Sequence, residues 1–420
     1  MTLDDLLHLI LATAWVGVMF AMVAGLAGLL TWVERKMSAL IQDRIGPNRA
    51  NIRFIRNWRL WGLIHPIADV VKILFKEDFV PKGAFRVLHT IAPMISMVAP
   101  LIVFSVIPFA GPLHITWKDI PAENIWLIGR LFPGDALHLS DYTIFFRVAD
   151  LNAGIIFIFA ITSLSVYGLL IGGWSSNNKF SFLGAMRAAS QMFSYEVALS
   201  LSVIGVIMMY GATSLSEIVT RQGDLWLGII PKWGIVTQPL AFFLFLACGV
   251  AEIKRVPFDL PEGESEIIAG FFTEYSSAKF MMFFFGEFIE VVLLGAMLTT
   301  LFLGGWHVPW LSAEAIKVPL LHLNWVFAEW GWIQAHPWGI HLIRVAVSGM
   351  QFGAFFTKLI FSIWFLQQVR WTLPRLRYDQ IMKIGWKMIL PLAFLNIAGT
   401  GIFILFEEHF KSTIQGLLGY

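Results

Sequence analysis

The sequence predicts an all-α, polytopic membrane bundle of about eight transmembrane helices with one amphipathic helix on the cytoplasmic side. Three observations carry this. Hydrophobic residues make up 57% of the 420 residues and charged residues only 14%, the mean hydropathy is +0.72, and long apolar runs recur along the whole chain. No soluble core needs so much apolar surface, whereas a helix crossing a hydrocarbon layer about 30 Å thick needs about 20 mostly apolar residues. The chain therefore reads as a single integral membrane domain over residues 1–420.

Eight segments are expected to span: 6–33, 90–110, 144–172, 192–211, 238–253, 280–304, 345–369 and 386–406. The fifth is the shortest. The first lacks the basic start and small-residue cleavage site of a signal peptide, so it is kept as a span. Of the 30 Lys and Arg, 21 fall in segments 34–88, 173–188, 254–279 and 370–387, against 7 in segments 111–143, 212–237, 305–344 and the tail. By the positive-inside rule the first group is cytoplasmic and both chain ends lie outside.

Within the basic segment 34–88, residues Ile64 to Phe79 alternate apolar and charged positions at helical spacing but are too short and too charged to span. They predict an amphipathic helix at the cytoplasmic interface, either docked on the surface or bordering a ligand entrance. The external segment 305–344 carries Trp306, Trp310, Trp325, Trp330, Trp332 and Trp338. That composition suits anchoring in the interfacial belt rather than chemistry.

The acidic stretch 252–279 holds Glu252, Asp259, Glu262, Glu264, Glu266 and Glu274. A solvated loop accounts for part of it, because Pro257 and Pro261 break any continuous helix. Apolar residues run directly into Glu252, however, and Glu287 and Glu290 follow inside the sixth span. Acids in or beside a membrane are costly unless they meet water, cations or each other, which points to protons or ions. Glu287 and Glu290, three residues apart, share one side of their helix and are expected to face the protein interior. Glu196, at the start of the fourth span, fits either an interfacial pair with Arg187 or a proton-relay acid.

The first span ends in Glu34, Arg35, Gln42, Asp43 and Arg44, followed by a Gly46-Pro47-Asn48 turn. Positive-inside anchoring explains the cations, while Glu34 and Gln42 beside them suit the steering of a polar head group whose tail stays in lipid. Arg375, Arg377, Asp379 and Lys383 after the seventh span read as an anchor. Cys248, the single cysteine, excludes an internal disulfide and a thiolate-ligated iron–sulfur cluster on this chain. Of ten histidines only His8 falls in an expected span, so a haem between two histidines has no ligands. Phosphate loops, zinc spacings and nucleophile triads find no match in the sequence.

The blocks ERKMSALIQDRIGPN, ADVVKILFKED, SQMFSYEVALSL, RVPFDLPEGESEIIAGFFTEYSSAKF and RYDQIMKIGWK resemble, in the same order, those of the H-type membrane subunits of bacterial proton-pumping NADH:quinone oxidoreductase. This is respiratory complex I, and the family includes mitochondrial subunit 1. The resemblance implies an inner-membrane, multi-pass subunit at the junction with a peripheral arm that carries the flavin and iron–sulfur clusters. It implies quinone as substrate, no cofactor held on this chain, and partners among the membrane and peripheral-arm subunits, including those of the quinone chamber and terminal cluster. By motif, Glu34, Arg35, Gln42, Arg44, Asp69 and Lys72 line or gate the quinone path. Glu196, Glu252, Asp259, Glu262, Glu264, Glu266, Glu274 and Glu287 begin the acidic route that couples quinone chemistry to proton movement, with Asp259 alternatively capping the following helix. Lys254 beside Arg255 is more basic than the family pattern and can neutralise Glu252, and segments 305–344 and 111–143 are longer than its usual outer loops.

Two other classes share some of these features. A stand-alone proton- or cation-coupled transporter would place its acids near the midplane on broken helices, and a related membrane subunit of an energy-converting hydrogenase would keep the fold without quinone.

Overall fold

A computed structural model describes residues 3–50, 60–115, 120–121, 136–137, 142–226, 230–261, 269–308 and 338–418. In chain order the principal helices are α1 (Leu3–Ile41), α2 (Ile64–Leu74), α3 (Arg86–Val103), α4 (Gly154–Ser175), α5 (Lys179–Tyr210), α6 (Leu215–Gln222), α7 (Gly234–Thr237), α8 (Pro239–Glu252), α9 (Ser277–Phe302), α10 (Trp338–Thr372), α11 (Tyr378–Ile384) and α12 (Leu390–Leu418). Among the described residues, seven helical segments are long and apolar enough to cross a membrane. The expected fifth span is the 14-residue α8, about 21 Å long at 1.5 Å per residue and so shorter than the hydrocarbon layer. Pro239 starts it, where a missing N–H costs nothing, and Lys254 turns the chain just beyond its end with φ at +56°.

The bundle is organised around α9. Every residue from Gly286 to Phe302 is buried, as expected of a helix apolar on all sides. It packs against α1, α3 and α10, while α8 packs mainly on α5. With no hydrophobic drive between helices in lipid, close contact comes from small residues. A Cβ on Gly168 of α4 would sit 2.8 Å from the backbone N of Ser96 in α3. One on Gly184 of α5 would sit 2.7 Å from the Cα of Gly270. The last span is continuous through a π-helical turn at Gly385–Ile389 between α11 and α12, where the Tyr195 hydroxyl donates to the carbonyl of Ile381 at 2.9 Å.

The amphipathic helix expected from Ile64 is present as α2 and stops at Leu74. One expectation is corrected: α3 begins at Arg86, so His89 lies within a span, fully buried. Its ring stacks on Tyr275 at 4.1 Å. Cys248 is buried in α8, as a structural thiol would be.

At the end of the bundle opposite α2, short antiparallel ribbons pair Leu113–Ile115 with Tyr142–Ile144 and Leu225–Trp226 with Ile230–Pro231. Here Lys358 of α10 donates to the carbonyls of Gly305, at 3.0 Å, and His307, and lies over the Trp233 ring. Burial, and secondly the Lys358 charge, push His307 down to about 4. Of the Trp-rich segment, Trp306 is buried, whereas Trp310, Trp325, Trp330 and Trp332 lie outside the described residues.

Candidate functional site

Three helices from distant parts of the sequence enclose a groove of about 430 Å³ at the α2 end of the bundle. Gly28, Thr31 and Arg35 come from α1, Asp69, Lys72 and Ile73 from α2, and Phe280, Met281 and Phe284 from α9. The polar groups gather on α1 and α2 and the aromatic wall on α9. Asp69 accepts from the Arg35 guanidinium at 2.5 Å, with both side chains partly exposed. Just beyond α2, Asp78 pairs with Lys279 at the start of α9 at 3.1 Å. Tyr275 closes the inner end, its hydroxyl donating to the Gly172 carbonyl at 3.2 Å. Burial raises its phenol above the ordinary value, against a smaller opposite effect of Ser175 and Ser176, so it remains a neutral hydrogen-bonding group at physiological pH.

Consecutive residues on a helix point about 100° apart, and this splits Glu34 from Arg35. Arg35 faces the groove, whereas Glu34 is buried and accepts from Arg255 at 2.9 Å, with Arg370 of α10 as a second cation. Arg255 continues to Glu287 at 4.0 Å and lies over the Phe288 ring. One turn further along α9, Glu290 meets Lys254 at 3.1 Å, with side-chain exposures of 10% and 1%. Glu287 and Glu290 thus face inward as expected, but each has its own cation. Lys254, expected to offset Glu252, forms an ion pair with Glu290.

Glu252 and Glu290 line one small cavity between α3, α4, α5, α8 and α9, with Thr162, Ser165, Phe245 and Pro100. Its volume is about 40 Å³, enough to admit water. Glu196 lies on the neighbouring turns of α5 and accepts from the Ser163 hydroxyl. Its expected pairing with Arg187 does not suit an α-helix. Nine residues place the two on opposite faces and about 13 Å apart along the axis.

The remaining expected residues separate. Gln42 and Arg44 are exposed on the turn after α1 and do not line the groove. Glu274 accepts from Asn178 at 2.6 Å, and Asn178 also caps α5 through the Phe180 N–H, so this acid fastens a loop to a helix start. Asp259, expected as a carrier or a cap, pairs with Arg375 at 2.6 Å, which makes Arg375 more than an anchor. Glu262, Glu264 and Glu266 lie outside the described residues. The sequence reading missed Arg255, Arg370 and Ser163 as partners of the acids. For Arg255 the signal was a cation beside Lys254 within the acid-rich stretch. Among the described residues no group of three or more His, Cys, Asp or Glu could hold a metal ion.

The NADH dehydrogenase family model matches residues 13–401. The H 1 subunit of NADH-quinone oxidoreductase from Cytophaga hutchinsonii is 40% identical over 89% of this chain and 91% of its own length. The H 1 subunit from Geobacter metallireducens is 39% identical over 95% and 97%, and the H subunit from Flavobacterium psychrophilum is 39% identical over 92% and 94%. With a multi-pass helical bundle and similarity along nearly its whole length, this chain belongs to the NADH dehydrogenase family, among the H subunits of NADH-quinone oxidoreductase.

Proposed function

We propose that this chain is the inner-membrane subunit of a proton-pumping NADH:quinone oxidoreductase that admits quinone from the bilayer and couples its reduction to proton movement. The observation that carries this reading is the groove between α1, α2 and α9. Its volume suits a small-molecule site. The aromatic face of α9 suits an isoprenoid tail or quinone ring, and the Arg35 and Lys72 cations suit the carbonyl oxygens of the head group. Flavin and iron–sulfur clusters belong to partner subunits, which deliver two electrons. Quinone takes up these and two protons to become quinol.

The coupling reading rests on the ionic chain behind the groove. Glu34, Arg255 and Glu287 alternate in charge beside the groove helices, Lys254 pairs with Glu290, and Glu290 and Glu252 line the small cavity. A charge change at the quinone alters the balance at each link, strongly where water is scarce and the effective dielectric is low. Glu196 is the next acid inward, and Glu262, Glu264 and Glu266 are proposed to join the same route. Gln42 and Arg44 are assigned to the face that meets the peripheral arm. The basic end of the bundle is cytoplasmic in this reading, and both chain ends lie outside.

Replacing Arg35 with Ala in the assembled complex is the test. Quinone reductase activity is expected to fall while NADH oxidation by an artificial hydrophilic acceptor persists. Normal quinone reduction in an intact complex would remove the entrance role.

A further inference from the structure

We propose that the end of the bundle away from the quinone groove carries a binding site for a phospholipid with a primary-ammonium, zwitterionic head group, a phosphatidylethanolamine-type lipid. A pocket of about 370 Å³ opens there between the end of α5, the turn around α7 and α12. Its charged lining consists of two cations, Arg221 and Lys232, and two acids, Asp224 and Glu407. Its apolar lining is Met209, Val236 and Phe403. The pocket sits at the water boundary, because Tyr210 ends α5 and Glu407 is the last residue of the apolar stretch that begins at Tyr378.

The Arg221 guanidinium and the backbone that carries Lys232 and Asp224 are held by the fold. Arg221 donates to the Tyr210 carbonyl and to Glu217 at 2.5 Å, which fixes its guanidinium at the pocket wall. The Tyr210 hydroxyl donates to the Lys232 carbonyl at 2.8 Å, and the Lys232 N–H donates to the Asp224 carbonyl at 2.9 Å across the short ribbon. A fixed Arg221 guanidinium with Lys232 beside it suits a phosphate. A primary ammonium has three donors for carboxylates, whereas a choline group is best held by several aromatic faces. Balanced charge above an apolar wall, at the depth where head groups meet acyl chains, matches a zwitterionic lipid better than an anionic one. Phe403 stands one helical turn from Glu407, toward the membrane, so it meets the first carbons of the chains.

The complex in nanodiscs of phosphatidylcholine, containing a phosphatidylethanolamine with a diazirine near the top of one acyl chain, provides the test. Irradiation followed by peptide mass spectrometry is expected to place adducts on Met209, Val236 or Phe403. Unlabelled phosphatidylethanolamine should compete, and phosphatidylglycerol or soluble glycerophosphoethanolamine should compete at least about tenfold more weakly. Lys232→Ala and Glu407→Gln should each lower occupancy about tenfold, the effect of losing one charge-assisted contact. Absence of adducts at these positions in the unaltered complex overturns the proposal without any variant. Equal competition by phosphatidylglycerol or by the soluble head group also overturns it, as does cross-linking that shows a neighbouring subunit in the pocket.

Discussion

Replacing Lys254 with Met isolates the most deeply buried ion pair described in the chain. Its side chain is 1% exposed and 3.1 Å from Glu290, a separation worth about 5 kcal/mol at an effective dielectric near 20. Removing one partner of such a pair leaves a buried charge and costs about 3–5 kcal/mol. Unfolding of a large membrane complex is irreversible, so the useful readout is lifetime at fixed temperature. At the lower figure the lifetime of the assembled complex in detergent should shorten by about two orders of magnitude. Lys254→Met with Glu290→Gln should recover much of this, because no lone charge remains. Additive single and double effects, or a Lys254→Met complex as durable as the parent, would refute the ion-pair reasoning.

Other expectations follow from packing and titration. Gly168→Ala should destabilise the α3 and α4 contact by about 1–3 kcal/mol, since the new Cβ meets backbone atoms 2.8 Å away. Gly349→Ala meets nothing within 4 Å and serves as a control in the same thermal assay. His307, pushed down to about 4 from 6.5, binds fewer protons folded than unfolded between those values. Its contribution is therefore complete above pH 6.5 and is lost as pH falls toward 4. His307→Gln should flatten the pH dependence of heat inactivation over that window, and an unchanged slope would discount the burial argument. Tyr275→Phe removes the hydroxyl bonded to Gly172 while keeping the ring stacked on His89. It should cost about 1 kcal/mol and leave the groove's shape intact.

Much of the fold was legible because lipid imposes a simple rule on sequence. Runs of apolar residues become helices long enough to cross, and only α8 fell short, having been bounded by Pro239 and the turn at Lys254. The amphipathic α2 was legible from its spacing alone. The groove was only half legible. Arg35, Asp69 and Lys72 were expected and do line it, and the resemblance also implies the sixth span, now α9, at its border, but none of the phenylalanines that α9 turns into the groove was singled out. The ion pairs were the least legible part. Glu34 and Arg255 are 221 residues apart, and no local pattern reports such a contact. Periodicity did place Glu287 and Glu290 inward, yet whether they would face each other or separate cations depended on where the chain turns after α8. The same limit explains Asp259 and Glu274, whose partners Arg375 and Asn178 are brought in by tertiary packing.

Quinone is proposed to enter between α1, α2 and α9. The most direct measurement is photolabelling of the assembled, membrane-embedded complex with a photoreactive quinone, competed by the parent quinone and mapped by peptide mass spectrometry. Competed adducts are expected on groove residues, foremost Phe280 and Phe284 of α9 and Ile73 of α2. Competed labelling confined to positions outside the groove, with these three helices unmodified, would contradict it.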